Sequence, residues 1–358
     1  MRKQEKQLFI QLCNFNSESI DEKLLRHASP EVLGNLFANR MQGVAYGILK
    51  NNRCLNLVDR EFRNSLKSAY EQNIEKNRSY YICVAYISDL IKHSKYAAAL
   101  LKGSILCGVY PRGYRTSNDI DLLVLPQDVT GIGKLLTEDG FIQGSIKNNE
   151  FVPAERKEII ESKMLRGETV PYVKEMNLNN MKYLEVDINF SLDYKNNESK
   201  ALKTMMENLE YKVVNGIRIP TLCREDFFIH LCGHLYKEAT TLPWIKMKRD
   251  MTLYKYSDIY MLLSEMNNKE IKNIFERAKK LEMEKVCAYA ILQTIELFGA
   301  DMPSAEKNAV SALKNDKDFL LKVIAPQEKK EYMYSTKETD KRFFMDKREK
   351  DLREVEAI

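Results

Sequence analysis

Apolar side chains recur at helical spacing through the first part of the chain. Ser29 followed by Pro30 and an acidic residue is typical of a helix start, because serine caps backbone N–H groups and proline fits the first turn. A second amphipathic pattern covers residues 59–95, and its length allows a break near Asn77. Residues 1–95 are therefore predicted to form an N-terminal helical region.

The pattern changes to short apolar runs over residues 96–220. The segment MKYLEVDINFSL, residues 181–192, alternates apolar and polar side chains, which predicts a half-buried strand. The segment YKVVNGIRIP, residues 211–220, places Asn-Gly between two β-type runs and predicts a hairpin. This part of the chain is predicted to form a mixed α/β core.

Helical spacing returns after this core. Residues 221–326 are predicted to form a C-terminal helical bundle, and residues 327–358 a charge-dense tail that is either a final helix or partly disordered. The fold class that follows is α/β (α+β), with a small mixed sheet flanked by helical domains on both sides.

Composition restricts the location and the partners of the protein. The 358 residues contain no apolar run near the ~18 residues that a membrane helix needs, and we expect no membrane association. The seven cysteines are scattered and form no CxxC pair, which favours a cytoplasmic protein with reduced thiols. A net charge of +5 without a concentrated basic stripe is a weak argument for nucleic acid, and phosphorylated small substrates fit equally well.

Two aspartates open the apolar run DIDLLVL. On a strand, Asp119 and Asp121 share one face, because side chains alternate between faces. Two neighbouring carboxylates repel each other and are costly to bury unless a cation compensates. Mg²⁺ prefers oxygen ligands and commonly joins one or two carboxylates to substrate phosphates, so the pair is a candidate metal site.

Three neighbouring features strengthen this interpretation. Gly103 and Ser104 follow an apolar run and could approach a phosphate closely. The positive charges of Lys102 and Arg115 lie near the same motif. A further acid, Asp187, lies on the polar face of the alternating strand and could bind metal or accept a proton.

The order Gly-Ser, Asp-apolar-Asp and a later acid on a strand resembles the polymerase-β-type nucleotidyltransferase superfamily. The stretch KGSILCGVYPRGYRTSNDIDLLV resembles its branch of bacterial uncharacterised nucleotidyltransferases, as do the helical segments that follow the core. The resemblance covers roughly residues 97–265. It implies an enzyme that uses two Mg²⁺ ions, or Mn²⁺ in their place.

The resemblance also implies roles for individual residues. Asp119, Asp121 and Asp187 match the three metal-binding and catalytic acids, and Gly103 and Ser104 match the loop that binds phosphates. Lys102 and Arg115 are expected to neutralise phosphate charge. The secondary candidates are Glu185, which shares the polar face with Asp187, and two helical residues of the following segment, His234 and Lys237.

The expected reaction is transfer of a nucleoside monophosphate from a nucleoside triphosphate, such as ATP, to a hydroxyl-type acceptor, with release of pyrophosphate. A small-molecule acceptor, such as a sugar, an antibiotic or a peptide product, is the preferred interpretation. Three alternatives stay open. They are a toxin-type enzyme acting on tRNA or protein, a glycosyltransferase using its Asp-x-Asp motif, and a catalytically inactive nucleotide-binding module.

Overall fold

A computed structural model of the chain describes residues 1–16, 19–165, 167–192 and 200–355. The chain divides into two compact units, residues 1–227 and 228–358. The predicted helical region and the predicted α/β core both fall within the first unit.

The first unit begins with helices, as the apolar spacing predicts. They are α1 Lys3–Cys13, α2 Glu22–Leu25, α3 Pro30–Ala38, α4 Gln42–Asn51 and α5 Arg60–Lys92. The Ser29 hydroxyl accepts a hydrogen bond of 3.3 Å from the Val32 amide and caps α3. Helix α5 runs for 33 residues without a break at Asn77, whose side-chain amide instead donates to the Arg115 carbonyl at 2.8 Å.

A six-stranded sheet follows these helices, in the spatial order β1-β2-β6-β5-β3-β4. Its strands are β1 Ala98–Leu100, β2 Asp119–Val124, β3 Ile142–Lys147, β4 Glu150–Pro153, β5 Tyr172–Leu178 and β6 Met181–Asn189. Only the β2–β6 pair is parallel among the neighbours recorded in this sheet. Four helices accompany the strands: α6 Gly103–Val109, α7 Val129–Glu138, α8 Arg156–Leu165 and α9 Lys200–Met206. The predicted mixed-sheet α+β class is confirmed.

The predicted hairpin is also present. Strands β7 Leu209–Val214 and β8 Ile217–Leu222 pair antiparallel around a two-residue turn. The turn residues Asn215 and Gly216 have φ of 49° and 78°. Such a turn requires positive φ at both positions, and Asn-Gly adopts it at low energetic cost.

The second unit is mainly helical. Helix α10 Arg224–Ala239 spans the boundary, and five more helices follow it: α11 Leu242–Lys246, α12 Leu253–Ser264, α13 Asn268–Lys280, α14 Glu284–Phe298 and α15 Pro303–Ala312. A three-stranded sheet and one short helix complete the unit, with β9 Lys322–Ala325, β10 Lys330–Tyr334, α16 Thr339–Phe343 and β11 Leu352–Val355.

The prediction of a helical or disordered tail is corrected by this sheet. Strand β10 lies between β9 and β11 and pairs antiparallel with both. Val323, Ala325 and Tyr334 pack into one apolar cluster with Leu242 and Ile245. The strands form because their apolar side chains pack against residues that are distant in the chain. The local sequence pattern carries no information about those partners. Residues 356–358 of the predicted tail lie outside the described residues.

A helix that crosses a bilayer must be both long and apolar. Among the described residues, every helix is too short or too polar to cross a bilayer.

Two helical glycines give a paired test of the packing in the first unit. A Cβ at Gly47 would lie 2.1 Å from the Tyr114 ring, whereas a Cβ at Gly34 meets nothing within 4 Å. We expect Gly34→Ala to raise the free energy of unfolding by about 0.5–1 kcal/mol, through lower chain entropy in the unfolded state. Gly47→Ala should lower it by about 1–3 kcal/mol through overpacking. Urea unfolding measures both, and equal effects of the two variants would contradict this packing.

Candidate active site

Four acidic residues lie on one face of the sheet where β2 and β6 run parallel. In their register Asp121 is opposite Asp187, and Asp119 is opposite Glu185. Because side chains alternate along a strand, these positions share a face, while residues such as Ile120 point to the other face and are fully buried. The structure therefore brings the three predicted acids together on one surface of the sheet.

Lys102 forms an ion pair with this carboxylate face. It lies two residues after the end of β1, and its Nζ is 2.6 Å from Asp121 Oδ1, with both side chains largely removed from solvent. The Asn189 amide is 3.5 Å from the same oxygen. Lys102 has φ 46° and ψ −114°, an uncommon backbone conformation that costs free energy and is typical of functional sites.

Gly103 and Ser104 begin α6 immediately after Lys102. A Cβ on Gly103 would lie 2.5 Å from the Cβ of Ser117 and 2.9 Å from the Tyr80 hydroxyl, so only glycine fits without movement. Ser104 is fully buried, and its hydroxyl lies 3.3 Å from that of Tyr80. The predicted phosphate-binding residues are thus adjacent to the acids, with the Ser104 hydroxyl directed at Tyr80.

Two residues that the sequence analysis missed connect this loop to the first acid. The Ser117 hydroxyl donates to Asp119 Oδ1 at 2.8 Å. The Tyr80 hydroxyl, on α5, donates to the Asp119 carbonyl at 2.9 Å. The position of Ser117, two residues before the motif, could have suggested its role. Tyr80 lies 39 residues away in a helical pattern and gave no local signal.

Helix α5 also fixes the segment that precedes β2. The Asn73 amide donates to the Gly113 carbonyl at 3.0 Å, and the Asn77 amide bonds the Arg115 carbonyl. Arg115 is itself buried, and its guanidinium donates to the Thr116 carbonyl. The predicted phosphate-binding arginine is therefore held by backbone contacts close to Asp119.

Most of the chain matches one known protein family. Residues 30–299 match the family model described as uncharacterised nucleotidyltransferase, which is most of the chain. The chain belongs to the uncharacterised nucleotidyltransferase family. No curated protein sequence matches it significantly.

One solved structure shows a distant likeness to this nucleotidyltransferase family member. It is the crystal structure of an antigenic nucleotidyltransferase-like protein from Paracoccidioides brasiliensis, at 12% identity. The likeness covers 62% of this chain and 92% of the other, with a TM-score of 0.34. That degree of likeness is too low to support a structural argument.

The carboxyl groups of this nucleotidyltransferase family member differ in their acidity. Burial raises the pKa of Asp187 well above its ordinary value, and repulsion from Asp119 and Asp121 adds to the shift. Burial also raises the pKa of Asp121, although Lys102 opposes the shift. For Asp119, burial favours the neutral acid, but attraction to Lys102 and the Ser117 hydrogen bond prevail and lower the pKa. Negative charge is thus concentrated beyond what the nearby cations fully compensate.

This donor set fits a divalent metal in its chemistry. Carboxylate oxygens are the ligands that Mg²⁺ prefers, and a cation would relieve the repulsion among Asp119, Asp121 and Asp187. Across residues 1–16, 19–165, 167–192 and 200–355, no three His, Cys, Asp or Glu side chains are arranged closely enough to hold an ion. The Lys102 ammonium lies against Asp121 in this arrangement, so these side chains would have to reorient around a metal.

The secondary candidates lie in different places. Glu185 faces the same side as Asp119, and burial, followed by repulsion from Asp119, raises its pKa. His234 and Lys237 belong to α10 in the second unit, where His234 Nε2 is 3.6 Å from Glu238 Oε1. Roles for these three residues in the site stay predictions.

The opposite pKa shifts of two acids give a stability test. A raised folded-state pKa means that the neutral acid favours the fold, so this contribution is lost as pH rises through that pKa. Asp187→Asn should therefore raise the free energy of unfolding near pH 8 by about 1 kcal/mol, with a smaller gain toward acidic pH.

Asp119→Asn is the matched control. Its lowered pKa means that the charged form favours the fold, so this variant should be less stable than the wild type above the ordinary carboxyl pKa and should approach it as pH falls. Urea titrations at several pH values, without divalent metal, measure both variants. Destabilisation by Asp187→Asn at pH 8 would disagree with a surplus of negative charge at this face.

Proposed function

We propose that the protein transfers a nucleoside monophosphate from a nucleoside triphosphate to a hydroxyl acceptor and releases pyrophosphate. The observation that carries the proposal is the register of β2 and β6, which places Asp121 opposite Asp187 and Asp119 on the same face. Membership of the nucleotidyltransferase family supports the same reaction class. Lys102 and Gly103 lie beside these acids, as a nucleotide site requires.

Asp119, Asp121 and Asp187 are the residues that would hold Mg²⁺, or Mn²⁺ in its place. A bound divalent ion supplies charge stabilisation at the phosphates and lowers the pKa of an oxygen that it contacts. The surplus of negative charge on this face supports the assignment, because a cation stabilises all three carboxylates at once.

The chemical step requires one proton acceptor. The acceptor hydroxyl oxygen forms a bond to the α-phosphorus, and the bond between that phosphorus and the pyrophosphate oxygen breaks. The hydroxyl proton passes to a carboxylate, for which Asp187 is the proposed base. Its position opposite Asp121 on the same sheet face favours this role, because a base must lie within reach of the acceptor hydroxyl.

Positive charge and backbone geometry supply the remaining stabilisation. The Lys102 ammonium can exchange its contact with Asp121 for a phosphate oxygen as negative charge moves onto pyrophosphate. Gly103 lets the backbone pack closely against Ser117 and Tyr80, because a larger residue at this position would collide with both. Catalysis would then rest mainly on positioning and electrostatic stabilisation.

The acceptor proposed here is a small molecule and not tRNA or a protein. The net charge of +5 is modest for a chain of this length. A nucleic-acid acceptor would make binding fall steeply with salt, because each phosphate contact releases a counterion.

The reaction is tested by incubating the protein with each α-labelled nucleoside triphosphate, Mg²⁺ and a fractionated cell extract. We expect label to enter an acceptor and pyrophosphate to appear in equal amount. Asp121→Asn should reduce transfer by at least about a hundredfold, since charge stabilisation in the transition state is lost. Circular dichroism must show that the variant stays folded.

Glu185→Gln is the control that separates the two acids of β6. It should retain most of the transfer activity, whereas Asp187→Asn should lose it to the same degree as Asp121→Asn. Transfer by folded Asp121→Asn at the wild-type rate would refute the assignment. Turnover of a nucleotide-sugar without pyrophosphate would indicate a glycosyltransferase, and nucleotide binding without any turnover an inactive module.

A further inference from the structure

A cavity of about 350 Å³ lies in the first unit next to the segment that leads into β2. Its walls come from the α3–α4 junction, from α5, from the segment just before Asp119 and from the turn between β5 and β6. Small-molecule sites commonly measure about 300–1,000 Å³, so this cavity has room for a compact ligand and not for an extended one.

Three cations line this cavity. They are Arg40, Lys76 and Arg115, and the described part of its lining includes no acidic residue. Burial lowers the pKa of Lys76, and repulsion from Arg40 adds to this effect, while Asp119 and Glu185 oppose it. Like charges placed together are stabilised by a bound anion, so the lining favours a ligand that carries negative charge.

The rest of the lining is rich in side-chain amides. Gln72, Asn73 and Asn118 contribute both donors and acceptors. Asn73 is held by its bond to the Gly113 carbonyl, and Asn118 accepts a hydrogen bond from the Lys76 ammonium. Amide groups fixed in this way match a ligand with several hydroxyl groups, because each hydroxyl both donates and accepts.

A nucleobase fits this cavity poorly. Tyr114 is the sole aromatic side chain in the described lining. Its ring packs against Gly47, where a Cβ would come within 2.1 Å, and its hydroxyl accepts a hydrogen bond from Asn51 at 3.3 Å. Its exposed fraction is 7%, so its face is not available for stacking on a base.

The cavity shares only part of the proposed triphosphate site. Arg115 belongs to its described lining, whereas Lys102, Gly103 and Ser104 do not. Asn118 of the lining directly precedes Asp119. Lys76 of the lining is close enough to Asp119 and Glu185 to interact with them electrostatically, so the cavity lies near the carboxylate face. A nucleotide held at Lys102 and Gly103 would leave this space for the second substrate.

We propose that the cavity between Arg40, Lys76 and Arg115 binds the acceptor, and that this acceptor is a small polyhydroxylated anion such as a sugar phosphate. The inference rests on the proposed transfer reaction for its role as an acceptor site. The binding itself does not depend on that reaction. The anionic group contacts the three cations, and the hydroxyl groups contact the amides, one of them reaching toward Asp119.

The test is calorimetric titration of the wild-type protein with glucose, glucose 6-phosphate, glucuronate and inorganic phosphate. Each is measured with and without Mg²⁺ and a non-hydrolysable ATP analogue. We expect the phosphate ester to bind and neutral glucose to bind at least about tenfold more weakly, the equivalent of one charge-assisted hydrogen bond. The glucuronate arm shows whether a carboxylate can replace the phosphate.

Two variants and a matched control locate the binding. Arg40→Gln and Lys76→Gln should each weaken binding of glucose 6-phosphate about tenfold. Arg78→Gln should leave it unchanged, because Arg78 is an exposed cation on the same helix that pairs with Glu75 and does not line the cavity. Thermal unfolding of each variant confirms that it is folded.

Three results would overturn the proposal. They are equal binding of charged and neutral sugars, no binding of any anion on the panel, and loss of sugar-phosphate binding on addition of the ATP analogue. Asp121→Asn distinguishes this failure from failure of the proposed function. If this variant is folded and binds the sugar phosphate without transfer, both the proposed reaction and the proposed acceptor site are supported. If the wild type transfers to an acceptor whose binding is unchanged by Arg40→Gln and Lys76→Gln, only the proposed acceptor site is refuted.

Discussion

Two carboxylates placed opposite each other on neighbouring strands set the main physical constraint on this protein. The parallel register of β2 and β6 makes Asp121 and Asp187 neighbours, and burial on a sheet face makes their joint ionisation costly. The ammonium of Lys102 offsets part of that cost. A surface of this kind is poorly suited to stability alone, and in the function proposed here its surplus negative charge would bind a cation.

The long helix α5 gives this constrained surface its rigidity. Three of its polar side chains donate hydrogen bonds to backbone carbonyls. Asn73 and Asn77 bond the segment before β2, and Tyr80 bonds the first residue of β2. Ordering a segment rich in turn residues costs conformational entropy, and these hydrogen bonds offset part of that cost. Because these contacts repeat at intervals of three to four residues, one face of a single helix positions both Asp119 and the cavity lining.

The carboxylate face and the cavity divide the chemistry between them in the function proposed here. One provides concentrated negative charge next to Lys102, and the other provides cations and amides around a space of about 350 Å³. The two sites would orient two anionic substrates. The triphosphate would be attracted to Lys102 and the metal, and the acceptor to the cations of the cavity, while the free carboxylates would repel both. The N-terminal helices are therefore part of substrate recognition in this proposal, in addition to packing against the core.

The sequence alone determined the features that depend on local pattern. Alternation predicted β6, Asn-Gly predicted the β7–β8 hairpin, and the spacing of Asp119 and Asp121 placed both on one strand face. Tertiary structure alone decided what depends on distant partners. It set the register that puts Asp187 opposite Asp121, the contact of Tyr80 with Asp119, and the pairing of β10 in a segment predicted to be helical or disordered. The physical reason is that periodicity records which side of an element is buried, whereas register and contacts are set by the surfaces that meet there.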